Sequence, residues 1–178
     1  MHLNASFIYH SAKMTNFAGC EIERRKNMTQ DQQQREDEEF MHRALAEARA
    51  AAAEGEVPVG AVVVCGGRVI ARAHNLTETL NDVTAHAEML AITAAANTLG
   101  GKYLTGCTLY VTVEPCPMCA GAIGWAQLAR LVYGASDEKR GYTLFAPRAL
   151  HAKTAVTGGV LEADCRELMQ QFFKKKRG

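Results

Sequence analysis

A compact β-branched run at residues 59–64, the pair Gly66-Gly67 and a second strand-like stretch at 68–73 constrain this chain more than any other feature. Two successive glycines supply the positive φ angles of a two-residue turn, so the three pieces predict a β-hairpin. Beyond the hairpin the chain alternates between helix and strand. Residues 85–99 form an Ala-rich helical run, preceded by Thr84 and closed by Gly100-Gly101. Residues 109–113 (LYVTV) read as a buried strand, Pro117 opens a helix that extends to Gln127, and residues 131–133 give a short strand. Ahead of the hairpin, Phe40, Ala44, Leu45, Ala48, Ala51 and Ala52 recur at three- and four-residue steps. That period predicts a helix over 36–54, ended by Gly55. The remainder reads as a loop at 136–148, a weak strand at 154–156 and a final helix at 162–176. Strands alternating with helices predict an α/β layered domain with helices on both faces of one sheet, and the opening hairpin makes that sheet mixed.

The 178 residues are about the length of one domain. Lys and Arg total 20 against 19 for Asp and Glu, so the net charge of +1 produces no global field to attract nucleic acid or an anionic membrane. Any basic binding surface must be local. The apolar stretches break well before the roughly 18 residues needed to cross a bilayer, so no membrane association is expected. Residues 1–27 lack a basic segment followed by an apolar core, which points to a cytoplasmic protein rather than a secreted one. With no sustained period of their own, residues 1–28 are expected to be a disordered extension before a single domain at 29–178.

Two short segments carry the chemistry: His86-Ala87-Glu88 and Pro115-Cys116-Pro117-Met118-Cys119. Two Cys separated by two residues can place both sulfurs on one metal, and an imidazole completes a nitrogen and sulfur set suited to zinc. His86 and both cysteines fall at predicted helix starts, where the partial positive charge favours thiolates. A structural zinc site normally takes a fourth protein ligand, and none stands at a paired spacing. Cys65, Cys107 and Cys165 are isolated in the sequence. Three ligands leave a position for water, whose pKa the metal lowers toward about 7. Glu88, two residues after His86, is placed to move protons to and from that water. A redox Cys-x-x-Cys would leave His86 and Glu88 unexplained.

HAE followed by PCPMC resembles the zinc-dependent cytidine and adenosine deaminase superfamily. The similarity runs through EVPVGAVVV at 56–64, NDVTAHAEM at 81–89, LYVTVEPCPMCAGAI at 109–123 and VYGASDEKRG at 132–141, and is nearest to the branch that edits tRNA. It implies a three-layer α/β/α cytidine deaminase-like fold with a mixed sheet of about five strands. It also implies one zinc per subunit on His86, Cys116 and Cys119, with Glu88 as the catalytic proton shuttle. The implied reaction is hydrolytic deamination of the wobble adenosine in a tRNA anticodon loop to inosine, and the implied assembly is a homodimer.

By the same resemblance Asn75 hydrogen-bonds the target nucleotide, and Val57, Pro58, Val59, Ala87 and Pro115 wall the base pocket. Asp137 and Lys139 lie in a loop that touches RNA in the family, although as bare sequence residues 136–140 are a solvated turn. Lys174, Lys175, Lys176 and Arg177 are four consecutive cations suited to phosphates, and equally suited to closing a helix dipole. Two other functions fit parts of the pattern. A guanine deaminase shares much of HAE and PCPMC but has no need of a basic tail. A non-catalytic RNA-binding subunit with structural zinc would have no need of Glu88.

Overall fold

The structure, a computed structural model, describes Arg24 and residues 27–177. Gly66 and Gly67 have φ of 59° and 70° and turn the chain between β1 (Gly60–Cys65) and β2 (Arg68–His74). These two strands pair antiparallel, with Gly60 opposite His74 and Cys65 opposite Arg68. β1 pairs antiparallel with β3 (Cys107–Val113) on its other side. β3 runs parallel to β4 (Arg130–Ala135), and β4 parallel to β5 (Ala155–Thr157), giving one mixed sheet in the order β2-β1-β3-β4-β5.

Successive side chains of a strand point to opposite faces, and both faces of this sheet are apolar because both are covered. Ala61, Val63, Leu109, Val111 and Leu131 pack with α2 (Ala87–Leu99) and α3 (Pro117–Trp125) through Ala91, Ala95, Ala120 and Ile123. Val62, Val64, Tyr110 and Val132 pack on the opposite face with Phe40, Met41, Ala44 and Leu45 of α1 (Gln30–Ala53) and Cys165 of α5 (Glu162–Arg177). The expected three-layer α/β/α arrangement with five strands is therefore present.

The element boundaries differ from expectation at α1, which begins at Gln30 rather than at residue 36. Its first turns are polar and carry no apolar period, but Thr29 and Gln32 form a reciprocal capping box, with bonds of 3.2 and 2.9 Å, that fixes the start. Within the expected loop at 136–148 a single helical turn, α4 (Tyr142–Phe145), forms. Buried Asp37 ties α1 to the sheet: Arg130 donates to its carboxylate at 2.5 and 2.6 Å and the Tyr110 hydroxyl at 2.9 Å. The expected extension at 1–28 lies outside the described residues except at Arg24, Asn27 and Met28. Arg24 pairs with Glu36 at 2.7 Å. Among the described residues no helix is long and apolar enough to cross a membrane.

Candidate metal centre and active site

The sheet topology brings four strand ends together. β1 begins where β2 ends, and β3 and β4 end side by side, with Val113 opposite Ala135. The loops leaving that rim start two helices. Asp82 accepts from both the Thr84 amide and hydroxyl at 2.8 and 2.7 Å, closing a turn that leads into His86. His86 is the N-cap of α2 and Cys116 the N-cap of α3, both with extended backbone, while Pro117 supplies the preset φ of the first turn of α3. Glu88 and Cys119 therefore fall in the first turns of two helices whose N-termini converge.

His86 Nδ1 lies 3.7 Å from Cys116 Sγ and 3.4 Å from Cys119 Sγ, and the three ligand atoms are all within 4.8 Å of one another. A tetrahedral zinc with Zn–S of about 2.3 Å and Zn–N of about 2.0–2.1 Å requires N···S separations of about 3.5 Å. The donor set fits zinc in kind and in spacing. The thiols are already polarised: hydrogen bonds from Cys119 and His86 hold the Cys116 thiol down to about 4, against the opposing effect of burial. The Cys119 thiol is pushed up by its bond to Cys116 and by burial.

Glu88 is 3% exposed, and its Oε2 has no hydrogen-bond partner among the described residues. Burial raises its pKa above the ordinary carboxylate range. A buried polar atom without a partner costs about 1–3 kcal/mol, so its retention calls for an explanation beyond packing. It is a prepared acceptor facing a cavity of about 820 Å³ that His86, Cys116 and Glu88 all line.

Of the other residues singled out by sequence, Val57, Val59, Asn75, Asp137, Lys139 and Arg177 line this cavity. Asn75 is buried. Its Oδ1 accepts from the Ala87 amide at 3.0 Å, and this bond fixes the side-chain amide and leaves Nδ2 as a donor. Pro58, Ala87 and Pro115 are buried and do not form the lining, and Lys174, Lys175 and Lys176 are exposed on α5 outside it.

Sequence reasoning missed three groups that shape the site. Buried Glu56 accepts from Thr77 Oγ1, Glu78 N and Thr79 N at 3.2, 3.2 and 2.7 Å, clasping the loop that comes after Asn75. Burial pushes its pKa up, but these bonds outweigh it and hold the carboxyl below the ordinary range. Buried Glu114 binds residues 137 and 143. Arg166 of α5 adds a cation to the cavity wall. The only warning in the sequence was a carboxylate inside an apolar run, EVPV and VTVEP.

The model of the cytidine and deoxycytidylate deaminase zinc-binding region matches residues 34–135, which contain the three candidate ligands and Glu88. The chain belongs to this deaminase family. Among relatives of this deaminase, the tRNA-specific adenosine deaminase of Agrobacterium fabrum is 49% identical over 143 residues, covering 78% of this chain and 94% of its own. A solved tRNA:A34 deaminase, studied for A-to-I editing at the wobble position, superposes with a TM-score of 0.69 at 48% identity over 73% of this chain and 98% of that one. A guanine deaminase from Nitrosomonas europaea superposes with a TM-score of 0.66, at 27% identity over 76% and 83%.

Proposed function

We propose that this deaminase converts adenosine to inosine at the wobble position of tRNA, with one zinc per subunit held by His86, Cys116 and Cys119. The observation that carries a catalytic reading is the unpartnered Oε2 of buried Glu88 beside a cluster of three, not four, metal-ligand side chains among the described residues. The choice of tRNA is supported by the near-half identity to tRNA adenosine deaminases over almost their whole length, against about a quarter for the guanine enzyme.

Bound zinc supplies a Lewis acid that brings the pKa of a coordinated water to about 7. Glu88 takes a proton from the attacking water and delivers it to N1 of adenine. It then carries the second proton to the departing amino group, so that water is consumed, ammonia leaves and hypoxanthine remains. Asn75 Nδ2 donates to the target nucleotide. Val57 and Val59 wall the base, backed by Pro58, Ala87 and Pro115. An anticodon-loop base is already largely unpaired, so bringing it to Glu88 costs less than extrusion from a duplex.

Asp137 and Lys139 on the cavity rim contact the RNA, and Lys174, Lys175, Lys176 and Arg177 attract its phosphates. The proposal includes a homodimer acting in the cytoplasm, with residues 29–178 as the catalytic domain. Trp125 at 85% exposure and Phe145 at 67% supply apolar surface for a second copy to cover. Product analysis tests the reading: the purified protein is incubated with an anticodon stem-loop carrying adenosine at the wobble position, with free guanine in parallel. Inosine at that position alone is expected. Xanthine from guanine with untouched RNA would overturn the substrate.

A further inference from the structure

The buried side chain of Glu114 stands immediately before Pro115 and the ligand Cys116 and lines the same cavity, and its carboxylate oxygens reach the loop after β4. Both of its oxygens are engaged there. Oε2 accepts from the Asp137 amide at 3.1 Å, while Oε1 accepts from the Thr143 amide at 3.1 Å and the Thr143 hydroxyl at 2.6 Å. The main chain repeats the attachment, since Tyr142 N donates to Pro115 O at 2.9 Å and Glu114 N to Ala135 O at 2.8 Å.

The loop is also closed on itself. Gly141 N donates to Asp137 O at 3.0 Å, and Asp137 Oδ1 accepts from the amides of Lys139 and Arg140 at 2.9 and 3.0 Å. A Cβ at Gly141 would lie 2.5 Å from the Glu114 carboxyl, so the closeness of loop and carboxylate requires glycine. The segment held in this way presents Asp137, Lys139 and Arg140 to the cavity.

We propose that Glu114 is a positioning residue: it clamps residues 137–143 to the segment that bears Cys116 and so sets the RNA-facing wall at a fixed distance from the reacting base. Hydrogen bonds to a carboxylate are roughly twice as strong as neutral ones, so three of them hold a short loop firmly. The side-chain hydrogen bonds of Glu114 go to Asp137 and Thr143 of the loop, not to His86, Cys116 or Cys119. Its effect falls on substrate binding rather than on the chemical step.

The inference rests on the proposed tRNA reaction for its kinetic arm only. In Glu114→Gln, either orientation of the amide turns an NH2 toward a loop donor. Hydrogen exchange at the Asp137 and Thr143 amides is expected to quicken by about tenfold, the factor for one lost hydrogen bond of this kind. KM for the anticodon stem-loop is expected to rise by about tenfold, with kcat within about threefold. Unchanged exchange, an unchanged KM, or a fall in kcat at constant KM would each overturn the clamp, the last by assigning Glu114 to the support of Cys116. Should Glu114→Gln not fold, Thr143→Val removes the hydroxyl donor at an exposed site. It must shift exchange and KM in the same direction, or the proposal fails. Absence of any RNA deamination by the unaltered protein would refute the functional reading, while exchange still decides the clamp.

Discussion

Replacing Glu88 with Gln separates catalysis from stability, because the structure predicts opposite signs for the two. Glu88 is buried in the first turn of α2 with Oε2 unpartnered. An unpaired buried polar atom costs about 1–3 kcal/mol. The N-terminus of α2 returns about 0.3–1 kcal/mol to a negative charge in its first turn. Gln keeps the shape, leaves a neutral polar atom at the same unpartnered position and relieves only the extra cost of burying a charge, so folding stability should be unchanged or higher by about 1 kcal/mol at most. For a domain of this size that corresponds to a rise in Tm of at most roughly 2–4 °C. Turnover should move the other way. An amide accepts no proton from water, and positioned acid–base groups contribute about 10²- to 10⁴-fold. The assay is single-turnover deamination of the wobble-adenosine stem-loop, with metal content and thermal unfolding measured on the same preparations. Turnover within tenfold of the unaltered protein, with zinc retained, would remove Glu88 from the mechanism. Loss of activity together with zinc would make it a ligand instead.

Removing the Asp37 carboxylate should leave Arg130 buried without its counter-charge, so Asp37→Ala is expected to destabilise by about 3–5 kcal/mol; a thermal or urea unfolding change below about 1 kcal/mol would refute the network's role. His74 bridges Glu47 and Glu54 at 3.1 and 3.3 Å, and although burial opposes it, the hydrogen bonds to the two carboxylates raise its pKa above 6.5. Its contribution is therefore complete below about pH 6.5 and is lost as pH rises through the raised folded value. Denaturant titrations should show His74→Gln weaker than the unaltered protein at pH 6 and nearly equal to it at pH 9, and a gap that widens with pH would reverse the sign. Replacing Lys174, Lys175, Lys176 and Arg177 together by Ala should weaken stem-loop binding and reduce the slope of log K against log salt by up to about 3, at 0.7–0.9 per phosphate contact. An unchanged slope would return those cations to an ordinary helix end.

The parts of this molecule that could be read in the sequence are those in which one local rule decides the outcome. Gly66-Gly67 could only be a turn between two β-rich runs, and His86, Cys116 and Cys119 were marked by donor chemistry and by their positions at helix starts. The hidden parts depend on partners far apart in the chain. Asp37 and Arg130 are 93 residues apart, and neither has a local neighbour that signals the pairing. Glu56 and Glu114 stood out only as charges in apolar surroundings; the loops whose amides they hold became apparent only when the fold brought residues 77–79 and 137–143 to them. The start of α1 was missed because a polar, solvent-facing first turn has no hydrophobic period. Its signal was the Thr29 and Gln32 cap alone.

The location of the site is a consequence of strand direction. β1 and β2 run antiparallel, so the chain returns to the rim at His74, and the loop held by Glu56 delivers His86 there as a helix cap. β3 runs antiparallel to β1, so it reaches the same rim at Val113 and delivers Cys116 as a second cap. Two helix N-termini thus point their unpaired amides and partial positive charge at one spot, which favours the Cys116 thiolate there. β4, parallel to β3, ends beside it and contributes the loop that Glu114 fastens. The His86–Cys116–Cys119 side of the cavity and the 137–143 side are neighbouring strand ends in one sheet, joined by the short step from Glu114 through Pro115 to Cys116. Substitutions within the strands should therefore act through stability, as Asp37→Ala does, whereas substitutions at this rim should act through binding or turnover at little cost to the fold.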